Sequence, residues 1–354
     1  MNYRPLGNTG VLVSEICLGT MTFGGEGYWK AMGQLQQDAV NDIVKTALDS
    51  GINFIDTANV YSFGQSETLL GQALQGLGIS RDDIVLATKV RGRMGDGKNQ
   101  VGLGRLQIMQ QIEGSLKRLQ TDHIDLYQIH GFDPMTPLEE TMRGLEDVVR
   151  SGKVRYIGCS NLAAWQVMKA NGIAEKNGWT PFSSTQNYYS IAGRDLENEL
   201  VPMAHDQQMA ILPWSPLAGG FLSGKYTRSN KPDGESRRLV FDFPPVDQEK
   251  AYDIIEAIEP IAQAHGVSVA RIALAWVLAR PGVTSVIIGA KNTDQLIDNI
   301  KAVDISLTTE QLEQLDAVSS RPKPYPQWMI ERQSGDRHGP YNFNPNPPGS
   351  STAN

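Results

Sequence analysis

The chain has 354 residues, 40% hydrophobic and 20% charged, with 35 glycines and 19 prolines spread along it, which suits one large globular domain or two average ones. Its net charge of -7 opposes a phosphate backbone and no basic stripe with interleaved aromatics offsets it, so nucleic acid is not an expected partner. The start, Met1-Asn2-Tyr3-Arg4-Pro5, lacks the charge, apolar run and cleavage site of a signal peptide, and no apolar stretch reaches spanning length; a cytoplasmic protein without a membrane partner is expected.

Tyr3 to Val13 reads as a short hairpin around the turn Gly7-Asn8-Thr9-Gly10, suited to plugging the bottom of a barrel. Eight strand-like apolar runs follow: Ile16–Gly19, Phe54–Asp56, Ile84–Lys89, Ile124–His130, Tyr156–Ser160, Ser183–Asn187, Ala210–Trp214 and Ser285–Ile288. Between them, stretches such as Asp38–Ser50, Gln107–Leu119, Pro137–Ser151 and Leu196–Gln207 place apolar residues three and four apart, as helices packing one face on a sheet do. Alternation of strand and helix implies parallel pairing. Eight repeats favour a closed barrel over an open doubly wound sheet, which would also carry G-x-G-x-x-G after its first strand; here that strand ends in Gly19-Thr20-Met21. The predicted fold is therefore α/β, a single (β/α)8 TIM barrel over residues 1–320 with an N-terminal β-hairpin. Over residues 321–354 Pro, Asn, Gly and Ser dominate and Pro345-Asn346-Pro347-Pro348 excludes regular structure, so an irregular C-terminal extension is expected there.

Cys17 and Cys159 each lie inside an apolar strand-like run and read as small buried hydrophobes. The five histidines show no metal-ligand spacing with each other or with the cysteines, and no metal site is expected. The segment from Gly92 to Asn99 nearly spells a phosphate-binding P-loop, but it has Asn99 where magnesium needs a hydroxyl, and Gly102 and Gly104 follow where a helix should start; it reads as a flexible loop.

In a barrel the reacting groups lie where strands end, so the polar residues closing apolar runs are the candidates. Asp56 ends Asn53-Phe54-Ile55-Asp56, Tyr61 follows in the loop, Lys89 ends Val85-Leu86-Ala87-Thr88-Lys89, and His130 ends Leu126-Tyr127-Gln128-Ile129-His130. Singly these are a helix cap, a loop aromatic, a solvated strand end and a satisfied imidazole. Together they put an acid, a phenol, an ammonium and an imidazole on one rim, a set suited to delivering a proton to a carbonyl oxygen. A phenol with a pKa of about 10 is a sluggish acid, and an ammonium beside it stabilises the phenolate. Lys89 supplies that charge, Asp56 keeps Lys89 protonated, and His130 orients the substrate oxygen.

With their surrounding motifs these residues resemble the aldo-keto reductase superfamily from about Tyr3 to about Ser319, and within it the branches holding aryl-alcohol dehydrogenases and potassium-channel beta subunits. Gly51-Ile52-Asn53-Phe54-Ile55-Asp56-Thr57-Ala58, Tyr61 and Gly64-x-Ser66-Glu67 look like its first signature, and no member of its catalytic tetrad, Asp56, Tyr61, Lys89 and His130, is replaced. The resemblance implies an NADPH/NADP+ cofactor, with Ser160, Asn161 and Gln186 holding the nicotinamide carboxamide and Trp214 stacking on its ring where the family more often has Tyr. It implies that Leu217, Gly219, Gly220 and Lys225 belong to the loop over the pyrophosphate, with Ser215 and Pro216, next to Trp214, also touching the cofactor. Lys291, Gln295 and Asn299 match positions for the 2'-phosphate and adenine, with Ile288, Gly289, Ala290 and Thr293 around them; Gly19, Thr20, Met21 and Asp56 complete the implied cofactor contacts.

Phe23, Tyr28 and Trp29, with Met21, are expected to wall the substrate pocket as apolar groups on the working rim. The implied activity is reduction of small-molecule aldehydes or ketones by a monomer or weak homo-oligomer. An NADPH-binding, redox-sensing regulatory subunit with little catalysis is the alternative. A hydrolase or an aldolase using Lys89 as a Schiff base leaves Ser160, Asn161, Gln186 and Trp214 without a purpose.

Overall fold

The computed structural model describes residues 1–25, 27–230 and 237–338. Met1–Ser319 forms one compact unit, and the residues from Ser320 form another. The first unit opens with an antiparallel hairpin, β1 (Tyr3–Pro5) against β2 (Leu12–Ser14). Its Leu6 is wholly buried among Cys17, Phe54, Val85, Leu126 and Leu212. Gly7 has φ of 58°, and a Cβ there would lie 2.5 Å from the carbonyl oxygen of Ser183; only glycine brings the turn so close to the strands above it.

Eight strands follow: β3 (Ile16–Gly19), β4 (Phe54–Asp56), β5 (Val85–Val90), β6 (Ile124–Ile129), β7 (Val154–Ser160), β8 (Phe182–Tyr188), β9 (Ala210–Trp214) and β10 (Val286–Ile288). They pair in parallel in the order β10-β3-β4-β5-β6-β7-β8-β9. A parallel bridge between Ile211 and Val283, with Thr284 N donating to Ile211 O at 2.9 Å, brings the two ends of the sheet together into a barrel. Every expected strand is present, with ends displaced by at most two residues: β5 starts and stops one residue late, and β7 begins at Val154.

The strands are buried on both faces, yet the two faces differ with the period of two that a pleated strand imposes. Cys17, Phe54, Val85, Ala87, Leu126, Ala210, Leu212 and Ile287 belong to the inner cluster, whereas Ile16, Leu18, Ile55, Leu86, Ile129 and Ile157 pack outward into the larger core under the helices. Helix Gln37–Asp49 shows the complementary period, burying Val40, Ile43, Val44 and Ala47. Both cysteines are buried and free. The segment between β5 and helix Arg105–Leu119 is a loop, with no helix at its lysine.

In the second unit the expectation of irregular structure from Arg321 needs amending, because Gln327–His338 is helical. Pro322, Pro324 and Pro326 precede this segment and no proline interrupts it; Pro326 accepts bonds from Met329 N and Ile330 N at 2.9 Å, in the first turn, where a missing N–H costs nothing. The Pro345-Asn346-Pro347-Pro348 stretch lies outside the described residues. Among the described residues no single helix is long and apolar enough to cross a membrane.

Candidate active site

The inward alternation that fills the lower barrel with apolar groups continues upward, and at the C-terminal strand ends it meets polar side chains. Asp56 stands two residues beyond Phe54, Lys89 two beyond Ala87, Gln128 two beyond Leu126, Ser160 two beyond Gly158, Gln186 two beyond Ser184, and Trp214 two beyond Leu212. The registers Lys89 to Gln128 and Ser160 to Gln186 set these residues side by side. One layer of the barrel thus gathers these side chains, and the fold places them there by residue count alone.

Within that layer Lys89 Nζ donates to Asp56 Oδ2 at 2.5 Å, to Thr57 O at 2.8 Å and to the Tyr61 hydroxyl at 3.2 Å. Lys89 is wholly buried and Asp56 nearly so. Burial works against the ammonium, but the charge of Asp56, the Tyr61 oxygen and their hydrogen bonds outweigh it and raise the lysine pKa above its ordinary value. The other carboxylate oxygen, Asp56 Oδ1, accepts from Gln128 Nε2 and Gln186 Nε2, each at 2.9 Å. Tyr61 is buried in a short turn, Tyr61–Gly64, after β4, its ring edge-on to Trp29 at 5.4 Å and to His130 at 5.7 Å.

His130 lies just past β6, and burial, with the positive charges of Lys89 and Arg91, lowers its pKa to about 3. The imidazole is therefore neutral at physiological pH and able to donate a hydrogen bond. Its folded pKa lies below the unfolded value of about 6.5, so the unfolded chain binds the proton first as pH falls. This group's share of stability is full above about pH 6.5 and is lost as pH falls through the window below it. Between about pH 7 and about pH 5, a His130→Gln chain should lose less stability in urea than the parent. Equal losses would mean that the folded imidazole titrates normally.

A cleft of about 1010 Å³ opens over this layer, at the upper end of the range for ligand and cofactor sites, about 300–1,000 Å³. Gly19, Thr20 and Met21 line it beside Asp56, Tyr61 and His130, while Lys89 lies beneath and reaches it through Tyr61. Ser160, Asn161, Gln186 and Trp214 line the next sector. Asn161 is tied there from both sides, its Nδ2 donating to Ser160 Oγ at 2.9 Å and its Oδ1 accepting from Trp214 Nε1 at 3.0 Å. The Trp214 ring is itself stacked on Phe243 at 5.6 Å and tilted against Tyr188 at 5.3 Å.

Ser215, Pro216, Leu217, Gly219, Gly220 and Lys225 continue the wall. The turn Ala218–Ser223 bends through Gly219 and Gly220, whose φ of 66° and 91° only glycine adopts freely; a Cβ on Gly220 would meet nothing within 4 Å. Arg238 ties this turn to the segment carrying Phe241 and Phe243, donating to Ala218 O at 2.8 Å and Pro244 O at 3.0 Å. At the far end Ile288, Gly289, Ala290, Lys291, Gln295 and Asn299 line the cleft around the start of helix Thr293–Ile300. Among the described residues no group of three or more His, Cys, Asp or Glu side chains is disposed to hold a metal.

Two expected site residues lie elsewhere. Phe23 is wholly buried in the outer core with Leu18 and Val40, because its backbone pairs with Leu35 and turns the ring away from the rim; Tyr28 and Trp29, in the turn Gly27–Ala31, do line the cleft. Thr293 does not line it, because the helical period gives Asp294, Gln295, Asp298 and Asn299 to the cleft and rotates Thr293 away. Residues that the sequence reading missed also contribute: Thr22, Met32, Ser223, Tyr226, Ser268, Ala270, Phe241, Phe243, Ile287, Asp294 and Asp298. Gln128 was missed although it alternates in step with Leu126 and His130, a signal that was available; Phe241 and Phe243 sit in a segment with no period to reveal them.

A family model described as the aldo/keto reductase family matches residues 15–320. The chain is 41% identical to "Uncharacterized oxidoreductase YrpG" of Bacillus subtilis, over 91% of this chain and 97% of the relative. It is 35% identical to versiconal hemiacetal acetate reductase of Aspergillus parasiticus, over 89% and 96% of the two chains. Identity is also 35% to a probable voltage-gated potassium channel subunit beta of Oryza sativa subsp. japonica, over 91% and 98%.

Proposed function

The chain belongs to the aldo/keto reductase family, and we propose that within this family of oxidoreductases it reduces aldehydes or ketones to alcohols with NADPH, Tyr61 giving the proton. The observation that carries this is the buried chain from Asp56 through Lys89 to the Tyr61 hydroxyl. When bound, NADPH supplies the hydride. Tyr61 donates its proton to the carbonyl oxygen, and the Lys89 ammonium, 3.2 Å away, stabilises the negative charge left on the phenol oxygen. Asp56 keeps Lys89 charged where burial alone would discharge it. His130, neutral, offers a hydrogen bond to the same carbonyl oxygen and orients it.

The cleft suits a dinucleotide for reasons of its own. Its turn leaves open space over Gly220, where a Cβ would meet nothing within 4 Å, and its far end meets a helix start with Lys291 beside it, both features that favour anions. Loss of NADPH absorbance against a panel of aldehydes and ketones is the direct test. The identity to a channel beta subunit favours a second reading, an NADPH-binding regulatory subunit with little catalysis. Tight NADPH binding with no turnover on any carbonyl would select it.

Lys291 is exposed and lines the end where Asp294 also faces the cleft. A single solvent-facing cation on a 2'-phosphate is worth less than a buried one, so Lys291→Ala should weaken NADPH by about tenfold while leaving NADH nearly untouched. Fluorescence titration of both cofactors reads this. Equal losses would place the 2'-phosphate away from Lys291.

A further inference from the structure

The Gln186 amide hydrogens are fully used inside the protein. Its Nε2 donates to Asp56 Oδ1 at 2.9 Å and to Gln128 Oε1 at 3.1 Å, and an amide nitrogen has two hydrogens to give. The orientation is forced, because Asp56, as a carboxylate, only accepts and would repel an amide oxygen turned toward it. Gln128 is fixed by the same logic: its Nε2 must face Asp56 Oδ1, at 2.9 Å, and its Oε1 is then left to receive Gln186. Gln128 is wholly buried and lies outside the cleft wall, and Gly158 on the neighbouring strand makes room for it, since a Cβ there would come within 3.2 Å of Gln128 Cγ.

We infer that Gln128 is a positioning residue that locks Gln186 as an acceptor toward the cleft, so that the site selects a ligand group that donates a hydrogen bond there, the amide of a carboxamide, over one that cannot. The inference rests on the proposed binding of a nicotinamide dinucleotide and adds to it a specificity set from behind the wall. The bond to Asp56 Oδ1 decides which end of the Gln186 amide faces the carboxylate, but alone it is a pivot. Without an acceptor at residue 128 the second hydrogen is orphaned in a buried place, and the amide swings about the Asp56 bond to spend it in the cleft. The acceptor face is then no longer fixed.

The probe is a pair of dinucleotides, NADP+ and its 3-acetylpyridine analogue, in which a methyl group replaces the amide nitrogen and the carbonyl is kept. Their dissociation constants are measured by tryptophan fluorescence and calorimetry, without turnover. The parent should bind NADP+ about tenfold or more tighter than the analogue, the usual penalty for leaving a buried acceptor unmet. Gln128→Met, similar in size but without an acceptor oxygen, should shrink that ratio to about threefold or less. Gln128→Glu sets a second carboxyl against Asp56 Oδ1, where two buried carboxyl groups must share a proton; protonated, it still donates to Asp56, keeps an oxygen to receive the Gln186 hydrogen, and should restore the ratio. If both variants weaken both dinucleotides equally and the ratio stays at the parent value, Gln128 only fills space and the inference is overturned. A parent that binds neither dinucleotide overturns the proposed function and this inference with it, whereas NADP+ binding with an unchanged ratio overturns the inference alone.

Discussion

Tyr61→Phe should lower the rate of carbonyl reduction by about 10² to 10⁴ while leaving NADPH binding close to that of the parent. The change removes one oxygen and keeps the ring, so the edge-on contacts with Trp29 and His130 at 5.4 and 5.7 Å remain. What is lost is the acid proposed to meet the carbonyl oxygen and the group that Lys89 Nζ reaches at 3.2 Å. Lys89 keeps Asp56 Oδ2 and Thr57 O as partners, so the fold should not suffer. Residues proposed to hold the cofactor, from Ser160 and Asn161 to Lys291, lie in other sectors of the cleft. Binding is read by quenching of Trp214 fluorescence and turnover by NADPH absorbance, and the two must diverge. A variant that still reduces carbonyls near the parent rate would remove Tyr61 from the mechanism.

Lys89→Met should be the more damaging change, because it strikes activity and stability together. It takes away the charge beside the Tyr61 hydroxyl and strands Asp56, which is 2% exposed, with the two amide donors on Oδ1 as its remaining side-chain partners among the described residues. Breaking a buried ion pair on one side typically costs about 3–5 kcal/mol, and the surviving amide bonds place the expected loss near about 3. Urea unfolding measures this, and the reduction rate should fall by about 10²-fold or more alongside it. Adding Asp56→Asn to the variant removes the stranded charge, and should return most of the stability and none of the activity. If the double variant is no more stable than the single one, the stability lost at Lys89 is packing rather than an unpaired carboxylate.

The sequence carried much of this site because a parallel barrel strand has so little freedom. Once Phe54–Asp56 is a strand with Phe54 inward, Asp56 must be inward too, and the same count brings Lys89, Gln128, Ser160, Gln186 and Trp214 to one layer. The acid, phenol, ammonium and imidazole could therefore be read as a group before any coordinates. Segments without a period were opaque in proportion. Phe23 and Tyr28 look equally apolar in the same loop, and only the pairing of Phe23 with Leu35 sends one to the core and leaves the other on the cleft. Thr293 falls off the face that Asp294, Gln295, Asp298 and Asn299 present to the cleft, a consequence of the helical period once the helix start is known.

What the amino-acid order determined alone is whatever depends on near neighbours: strand and helix periods, the glycines that turn the first hairpin, and the polar residues that close the strands. Hydrogen-bond partners across the barrel were decided by tertiary structure. Gln186 lies 130 positions from Asp56 and 58 from Gln128, and its two hydrogens are assigned only when the closed ring of strands brings all three within about 3 Å. A side chain's chain position says which face it takes. Which of its atoms are already spent, and which remain for a ligand, is decided by the groups the closed barrel sets against it, because leaving a buried donor or acceptor unmatched costs about 1–3 kcal/mol.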